Sequence, residues 1–239
     1  MPPRWHVLYP CPSLHLPSCH LCLASRACVF ERNDHGEKLT GRCCCRALPL
    51  PCTMTTYRRM TLCDTLQFNF VNLDQLTETY NTSFYGEYVT HWPEYQRMCV
   101  HPTTGIPMAY TLGKAEGQGE DYHGHVSAVS VAPTFRRVAL GETLMVELAQ
   151  MSELVHDAYF VDLFVRKSNQ VAQDMYHRLG YIVYRTVLNY YRGDGPKGPF
   201  RSDEDALDMR LALRRDKERR KSSVIPLDRP IKPEELEWV

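Results

Sequence analysis

From Thr55 onward, polar and apolar positions follow one another in short, changing periods, and each change marks an element. Thr55 to Arg59 reads as a short edge strand, and Asp64 to Val71 as a helix with Leu66, Phe70 and Val71 turned inward. A polar connection, Asn72 to Asn81, leads to a second helix that Ser83 is placed to cap and that runs through Tyr88 to Trp92, where Pro93 ends it. Tyr95 to Val100 and Ile106 to Lys114 flank the turn Pro102-Thr103-Thr104-Gly105, a hairpin signal. Beyond a flexible loop at Gly117 to Asp121, His125, Ser127, Val129 and Val131 alternate along one face of a long strand. Pro133 stops it, because proline has no amide to donate to a ladder. Leu140, Leu144, Leu148, Met151 and Val155 then form a stripe at helical spacing. Tyr159 to Val165 is apolar on both faces except for Asp162, as befits a strand inside a sheet. Ser168 is placed to cap a helix from Asn169 to Leu179, with Ala172, Tyr176 and Leu179 on one face and Gly180 as its stop. Tyr181 to Tyr191 and Ala206 to Leu213 are the last strands, with a loop at 193–199 between them. Two strand–helix–strand passages within 125–190 predict an α/β sandwich with a partly parallel sheet.

Composition changes this picture mainly at the two ends. Of the ten cysteines in 239 residues, eight precede residue 53: Cys11, Cys19, Cys22, Cys28, Cys43, Cys44, Cys45 and Cys52. Cys19 and Cys22 have a zinc-knuckle spacing with His15 and His20 nearby, but no second pair completes a four-ligand set. Three readings of residues 1–53 stay open: upstream sequence read through before a start at Met54, a disordered Cys/Pro-rich extension, or a metal-binding module. The first is favoured, and no function is expected there. At the other end, Arg210 to Lys221 carries seven basic and two acidic residues, and a Pro-interrupted tail runs to Val239. That tail, 214–239, is expected to be solvated and partly disordered, with a partner-docking segment as the alternative. A formal net charge of zero gives no global electrostatic case for nucleic acid or an acidic membrane. No run approaches the ~18 to 20 apolar residues that span a bilayer.

The densest chemistry lies at 129–145. A strand, a basic loop with small residues and a helix start make an anion site, because the first helical amides have no intrahelical partners and the dipole is positive there. Arg136 and Arg137 add charge, while Ala139 and Gly141 let backbone come close to a ligand such as a phosphate or pyrophosphate. Arg136-x-x-Ala139-x-Gly141 resembles the R/Q-x-x-G-x-G/A loop of the GCN5-related N-acetyltransferase (GNAT) family, which binds the pyrophosphate of acetyl-coenzyme A. The departure is Ala139 in place of the first glycine; alanine tolerates a helical φ but is not expected to take a positive one.

Further segments resemble the NatB-type catalytic subunits of that family. In order these are Asn72 to Tyr80, Tyr88 to Tyr95, Gly113 to Gly117, His123 to Pro133, Val161 to Arg166, Ser168 to Ala172, Leu179 to Tyr181 and Tyr184 to Val187. The likeness runs from Met54 to about Glu235 and implies a GNAT domain over 54–213, a mixed central sheet with helices on both faces. It implies direct transfer of acetyl from acetyl-CoA, as cosubstrate, to the α-amine of nascent chains beginning Met-Asp, Met-Glu, Met-Asn or Met-Gln. It also implies a large helical auxiliary subunit, docked on the first two helices, that links a cytoplasmic enzyme to the ribosome. Phe84, Tyr85 and Tyr88 are expected to form the exposed apolar face for it.

Carried onto these residues, Val129, Val131 and the loop Arg136, Arg137, Val138, Ala139, Gly141 and Glu142 hold the coenzyme, with Asn169 and Tyr176 beside the thioester. Glu78 and Tyr80 border the peptide cleft, Tyr190 and Tyr191 close it, and His125 and Ser127 read the second residue; the family more often has threonine at the Ser127 position. Tyr176, Asn169 and His125 are the expected catalytic residues. His123 and His125 form a His-x-His pair, but with no third ligand in view no metal is expected. Two rival functions remain: an acetyltransferase of other acceptor specificity, and a catalytically weak CoA- or partner-binding module, for which Ala139 is the only support.

Overall fold

A computed structural model describes residues 55–73, 77–193, 203–219, 226 and 229–236; the Cys-rich extension and most of the 193–199 loop lie outside these. Seven strands form one sheet in the order β1-β2-β3-β4-β5-β7-β6. They are β1 (Thr56–Arg59), β2 (Arg97–Val100), β3 (Pro107–Glu116), β4 (His123–Val131), β5 (Phe160–Arg166), β6 (Ile182–Tyr191) and β7 (Glu204–Ala212). Helices α1 (Thr82–His91), α2 (Leu140–Leu154) and α3 (Gln170–Arg178) cover it. Alternation along β2 sorts the faces: Met98 and Val100 join α1 residues Tyr85 and Tyr88, whereas Cys99 packs with Leu140 and Leu144 of α2. Tyr176 of α3 shares a cluster with Met145 of α2. The GNAT expectation of a mixed sheet with helices on both faces is met.

Among the seven described strands β4 and β5 are the parallel neighbours; β7 slips between β5 and β6 and is antiparallel to both. The second strand–helix–strand passage therefore spans a gap that the last strand fills. Other local expectations change for identifiable reasons. Residues 62–73 form two 3₁₀ turns, Leu62–Leu66 and Phe68–Leu73, instead of one α-helix. With three residues per turn, Phe68 and Val71 share the inward face, while Leu66 (80% exposed) and Phe70 point out. Asn81, not Ser83, caps α1 by accepting from the Phe84 amide, and Asn169, not Ser168, caps α3 by accepting from Ala172. The α2 stripe buries Leu140, Leu144 and Leu148, but the helix ends at Leu154 and Val155 is exposed. Gly180 does stop α3, at φ +94°.

Tyr85 and Tyr88 are buried and Phe84 stacks on Tyr80 and Tyr88, so they are not an exposed face. Leu62, Leu66, Phe70 and Leu73 are the exposed apolar residues of the turns beside α1. The tail also departs from expectation. Ile231 and Leu236 are buried with Val187 and Ala206, and Ile231 bonds Thr186 and Leu188 on β6. Among the described residues no helix is long and apolar enough to cross a membrane.

Candidate active site

The site is a break in the sheet. The β4–β5 ladder runs only from His123↔Phe160 to Val126↔Leu163. On the other side of β4, Leu112 faces Ala128 while Gly113 faces Val126, so Ser127 is an extra residue, a β-bulge. Side-chain direction is thereby reset within the strand. Val129 and Val131 pack toward α2, whereas Ser127 Oγ meets the hydroxyl of Tyr88, on α1, at 2.7 Å. The expectation that His125, Ser127, Val129 and Val131 share one face fails at this bulge, and the failure is useful. It splits β4 into a stretch packed toward α2, Val129 and Val131, and a stretch facing the cleft, His125 and Ser127. The resulting cleft is lined by Glu78, Tyr80, His125, Ser127, Val129, Asn169, Tyr176, Tyr190 and Tyr191, all expected at the site, together with Arg166.

On the α2 side, the helix N-terminus has no side-chain cap, because its N-cap residue is Ala139. The Ala139 carbonyl accepts from the Thr143 amide, leaving the amides of 140–142 without intrahelical acceptors. Arg137 (φ +67°) and Ala139 (φ +63°) are both left-handed, so Ala139 takes the positive φ that alanine was not expected to take. An uncapped fifteen-residue helix behind two arginines fits the pyrophosphate of a coenzyme A. Arg136 Nε bonds the Val131 carbonyl, tying the loop to β4. Three of the expected contacts have other tasks: Val138 packs on the Cys99–Leu140 cluster, Glu142 pairs with Arg178, and Gly141 allows close packing. A side chain at Gly141 would meet Met175 Sδ at 3.3 Å. Because alanine pays about 1 kcal/mol or more to sit in the left-handed region, Ala139→Gly is expected to raise the melting temperature by about 2–4 °C. Differential scanning calorimetry checks this; a fall in melting temperature contradicts it.

Beside His125 and Ser127, Arg166 is an organiser of the cleft that no sequence motif marks. It is buried, bonds Glu78 at 2.7 Å and Glu204 at 3.2 Å, and lies 4.2 Å over the Tyr191 ring. Tyr191 donates to the Phe164 carbonyl, and Tyr190 stacks on the Phe164 ring. Tyr80 donates to the Ser127 carbonyl, and burial pushes the Tyr190 phenol up to about 12. His125 Nδ1 lies 2.8 Å from Asp162 Oδ1, and Glu116 stands 3.7 Å from both His123 and His125. The sequence did flag Asp162, as the one polar residue in an apolar strand. It did not reveal Glu116, which supplies the third potential ligand that the His-x-His pair was judged to lack. These groups already bond one another and Lys114, whose ammonium holds Glu116.

Tyr176 and Asn169 complete the lining. Tyr176 is held by the α2–α3 cluster, and burial drives its phenol far above the ordinary value, so it remains a proton donor at any working pH. Asn169 has a second task as well: its Oδ1 accepts from the Ala172 amide to cap α3.

The family model described as "Acetyltransferase (GNAT) family" matches residues 65–181. The "N-terminal acetyltransferase complex ARD1 subunit homolog" of Leishmania donovani is 97% identical over 186 residues, 78% of this chain and 100% of that protein. The "N-terminal acetyltransferase B complex catalytic subunit NAA20" of Arabidopsis thaliana is 53% identical over 185 residues, 77% of this chain and 99% of that protein. The "N-terminal acetyltransferase A complex catalytic subunit NAA10" of the same plant is only 33% identical over 162 residues, 67% of this chain and 79% of that protein. Two solved structures agree. "Chaetomium thermophilum Naa20 in complex with a bisubstrate analogue" gives a TM-score of 0.68 at 36% identity, covering 75% of this chain and 97% of that one. "The NatB Acetyltransferase Complex Bound To CoA and MES" gives 0.58 at 34% identity, covering 66% and 99%. The chain belongs to the GNAT family of acetyltransferases, among the catalytic subunits of NatB-type N-terminal acetyltransferases.

Proposed function

We propose that this enzyme moves acetyl from acetyl-CoA onto the α-amine of protein chains beginning Met-Asp, Met-Glu, Met-Asn or Met-Gln. The observation that carries the reading is the cleft that brings His125, Ser127, Asn169 and Tyr176 together, on a strand whose other end, Val129 and Val131, packs toward the uncapped α2. An α-amine has a pKa of about 7.7–8.0, so roughly a tenth is neutral near pH 7, whereas a lysine near 10.4 is over a hundredfold less available. The neutral amine attacks the thioester carbonyl directly, and its C–N bond forms as the C–S bond breaks. Water relayed by His125 or Glu78 takes the amine proton, and Tyr176 gives its proton to the departing thiolate. Because His125 Nδ1 is held by Asp162 and its Nε2 faces the second residue, Glu78, bonded to Arg166 through Oε1, is the better-placed relay.

Ser127 offers a hydroxyl, and His125 Nε2 an acceptor when the ring is neutral and a donor when it is charged, to an amide or carboxylate at the second residue, and an apolar side chain there leaves them unsatisfied. A left-handed Ala139 keeps the loop conformation that a glycine would give, which removes the one feature favouring a non-catalytic CoA-binding module. Leu62, Leu66, Phe70 and Leu73 are the surface on which a helical auxiliary subunit docks, carrying the cytoplasmic enzyme to ribosomes. An acetyl-CoA-dependent assay on Met-Asp and Ser-Ala peptides, with and without a co-purified partner, tests the reading. Met-Asp is expected to be preferred by about tenfold or more, and equal rates would count against it. A chain starting at Met54 is expected to keep full activity in the same assay.

A further inference from the structure

One pocket that accepts both Asp or Glu and Asn or Gln faces a charge problem: the first pair brings a negative charge and the second does not. Behind His125 lies a set of charges suited to it. His125 Nδ1 donates to Asp162, which is fully buried, so Nε2 is the ring nitrogen left for the cleft. His123 Nδ1 bonds the Asp121 carbonyl, and its Nε2 stands 3.5 Å from Asp162 and 3.7 Å from Glu116. Glu116 is in turn held by Lys114 from β3. On the β7 side, Asp208 is clamped between Arg185 and Arg210. Facing phenols, Tyr190 of β6 and Tyr88 of α1, are held neutral by burial.

With both imidazoles neutral, three cations (Lys114, Arg185, Arg210) balance three carboxylates (Glu116, Asp162, Asp208), and the cluster sums to zero. A bound amide leaves that balance intact. Its NH₂ donates to the Nε2 lone pair, and its carbonyl accepts from Ser127, whose own oxygen takes the Tyr88 proton. A bound carboxylate adds one negative charge next to the fully buried Asp162, and Arg166 in the cleft lining is already held by Glu78 and Glu204, so the charge is costly unless something neutralises it.

Resting on the acceptor reading above, we propose that the His123–His125–Asp162–Glu116 cluster takes up one proton from solvent when the second residue is acidic and none when it is an amide. The proton makes His125 a donor at both nitrogens, Nδ1–H to Asp162 and Nε2–H to the substrate carboxylate. Asp162 acts as a positioning residue: it orients the ring and stabilises the imidazolium. Burial alone would favour a neutral His123, but Asp162, Glu116 and the Asp121 carbonyl outweigh it and raise its proton affinity.

Titration calorimetry of the full chain with any co-purifying partner tests this, using CoA in place of acetyl-CoA so that nothing reacts. Met-Asp and Met-Asn peptides are titrated at about pH 8 in buffers of different ionisation enthalpy. Met-Asp is expected to take up about one proton and Met-Asn about none; equal uptake overturns the inference. Asp162→Asn is expected to lower kcat/KM for Met-Asp at least about tenfold more than for Met-Asn. Glu116→Gln, in a less buried position, gives the same test with a smaller shift should the first variant fail to fold. Loss of preference for both peptides over Ser-Ala would sink the acceptor reading and this inference together. Retained preference with equal proton uptake would sink this inference alone.

Discussion

Tyr176→Phe is expected to lower kcat by about 10²-fold or more while leaving the KM for acetyl-CoA within about twofold, because a positioned general acid contributes roughly 10²–10⁴. The ring is fixed by Met145 and Tyr181 in the α2–α3 cluster, and phenylalanine keeps that packing. The hydroxyl is what changes. A thiolate with a conjugate acid near 8.5 is a tolerable leaving group in water, but in a cleft closed by Tyr80, Tyr190 and Tyr191 an unprotonated sulfur has little solvation to rely on. Burial keeps the Tyr176 phenol protonated well beyond its ordinary range, so the rate should show no descending limb from this acid below about pH 10. Steady-state kinetics with both substrates check this, with a thermal melt to confirm unchanged packing. A variant as fast as the parent would remove Tyr176 from the chemistry.

Much of the cleft is legible because its residues sit in short ordered motifs. His125 with Ser127, Asn169 with Tyr176, and Tyr190 with Tyr191 are each named from sequence and meet in one cleft, whereas the 136–142 loop is not part of its lining. What stayed hidden has two physical causes. The first is geometry that periodicity cannot encode. A single extra residue at Ser127 resets the faces of β4, three-residue turns at 62–73 send Leu66 outward, and Ala139 takes a glycine conformation. The second is long-range pairing. Arg166 with Glu78, 88 residues apart, and His125 with Asp162, 37 apart, become partners only when the sheet closes. The β7 insertion between β5 and β6 is hidden for the same reason, since local pattern marks a strand at 206–213 but not where it pairs.

The tail is where local pattern misled most, and it leads to the second large effect. Charged, Pro-interrupted sequence reads as solvated, yet Ile231 is only 2% exposed. The β6–β7 ladder breaks between Val187 and Tyr191, where Asn189 turns left-handed at φ +53° and its amide goes to the Asp205 side chain. There the tail supplies the missing partner: Leu188 donates to the Ile231 carbonyl, and the Ile231 amide to Thr186. Pro233 starts a short turn whose Glu235 side chain caps Lys232 and pairs with Arg229, holding Leu236 in the same apolar cluster. Tyr190 and Tyr191 pack against that cluster. The wall of the acceptor cleft is thus braced from behind by residues 229–236. Ile231→Asp places a charge in the cluster and forfeits about 2 kcal/mol of apolar burial, enough to release the strap. If the wall loosens with it, the KM for peptide rises by up to about 30-fold, the factor that 2 kcal/mol is worth, while the KM for acetyl-CoA, set on the α2 side, stays put. Hydrogen exchange at the Leu188 amide should quicken in parallel. Equal changes in both KM values, or fast exchange with an unchanged peptide KM, would show that the strap serves stability alone and that the tyrosines hold their own position.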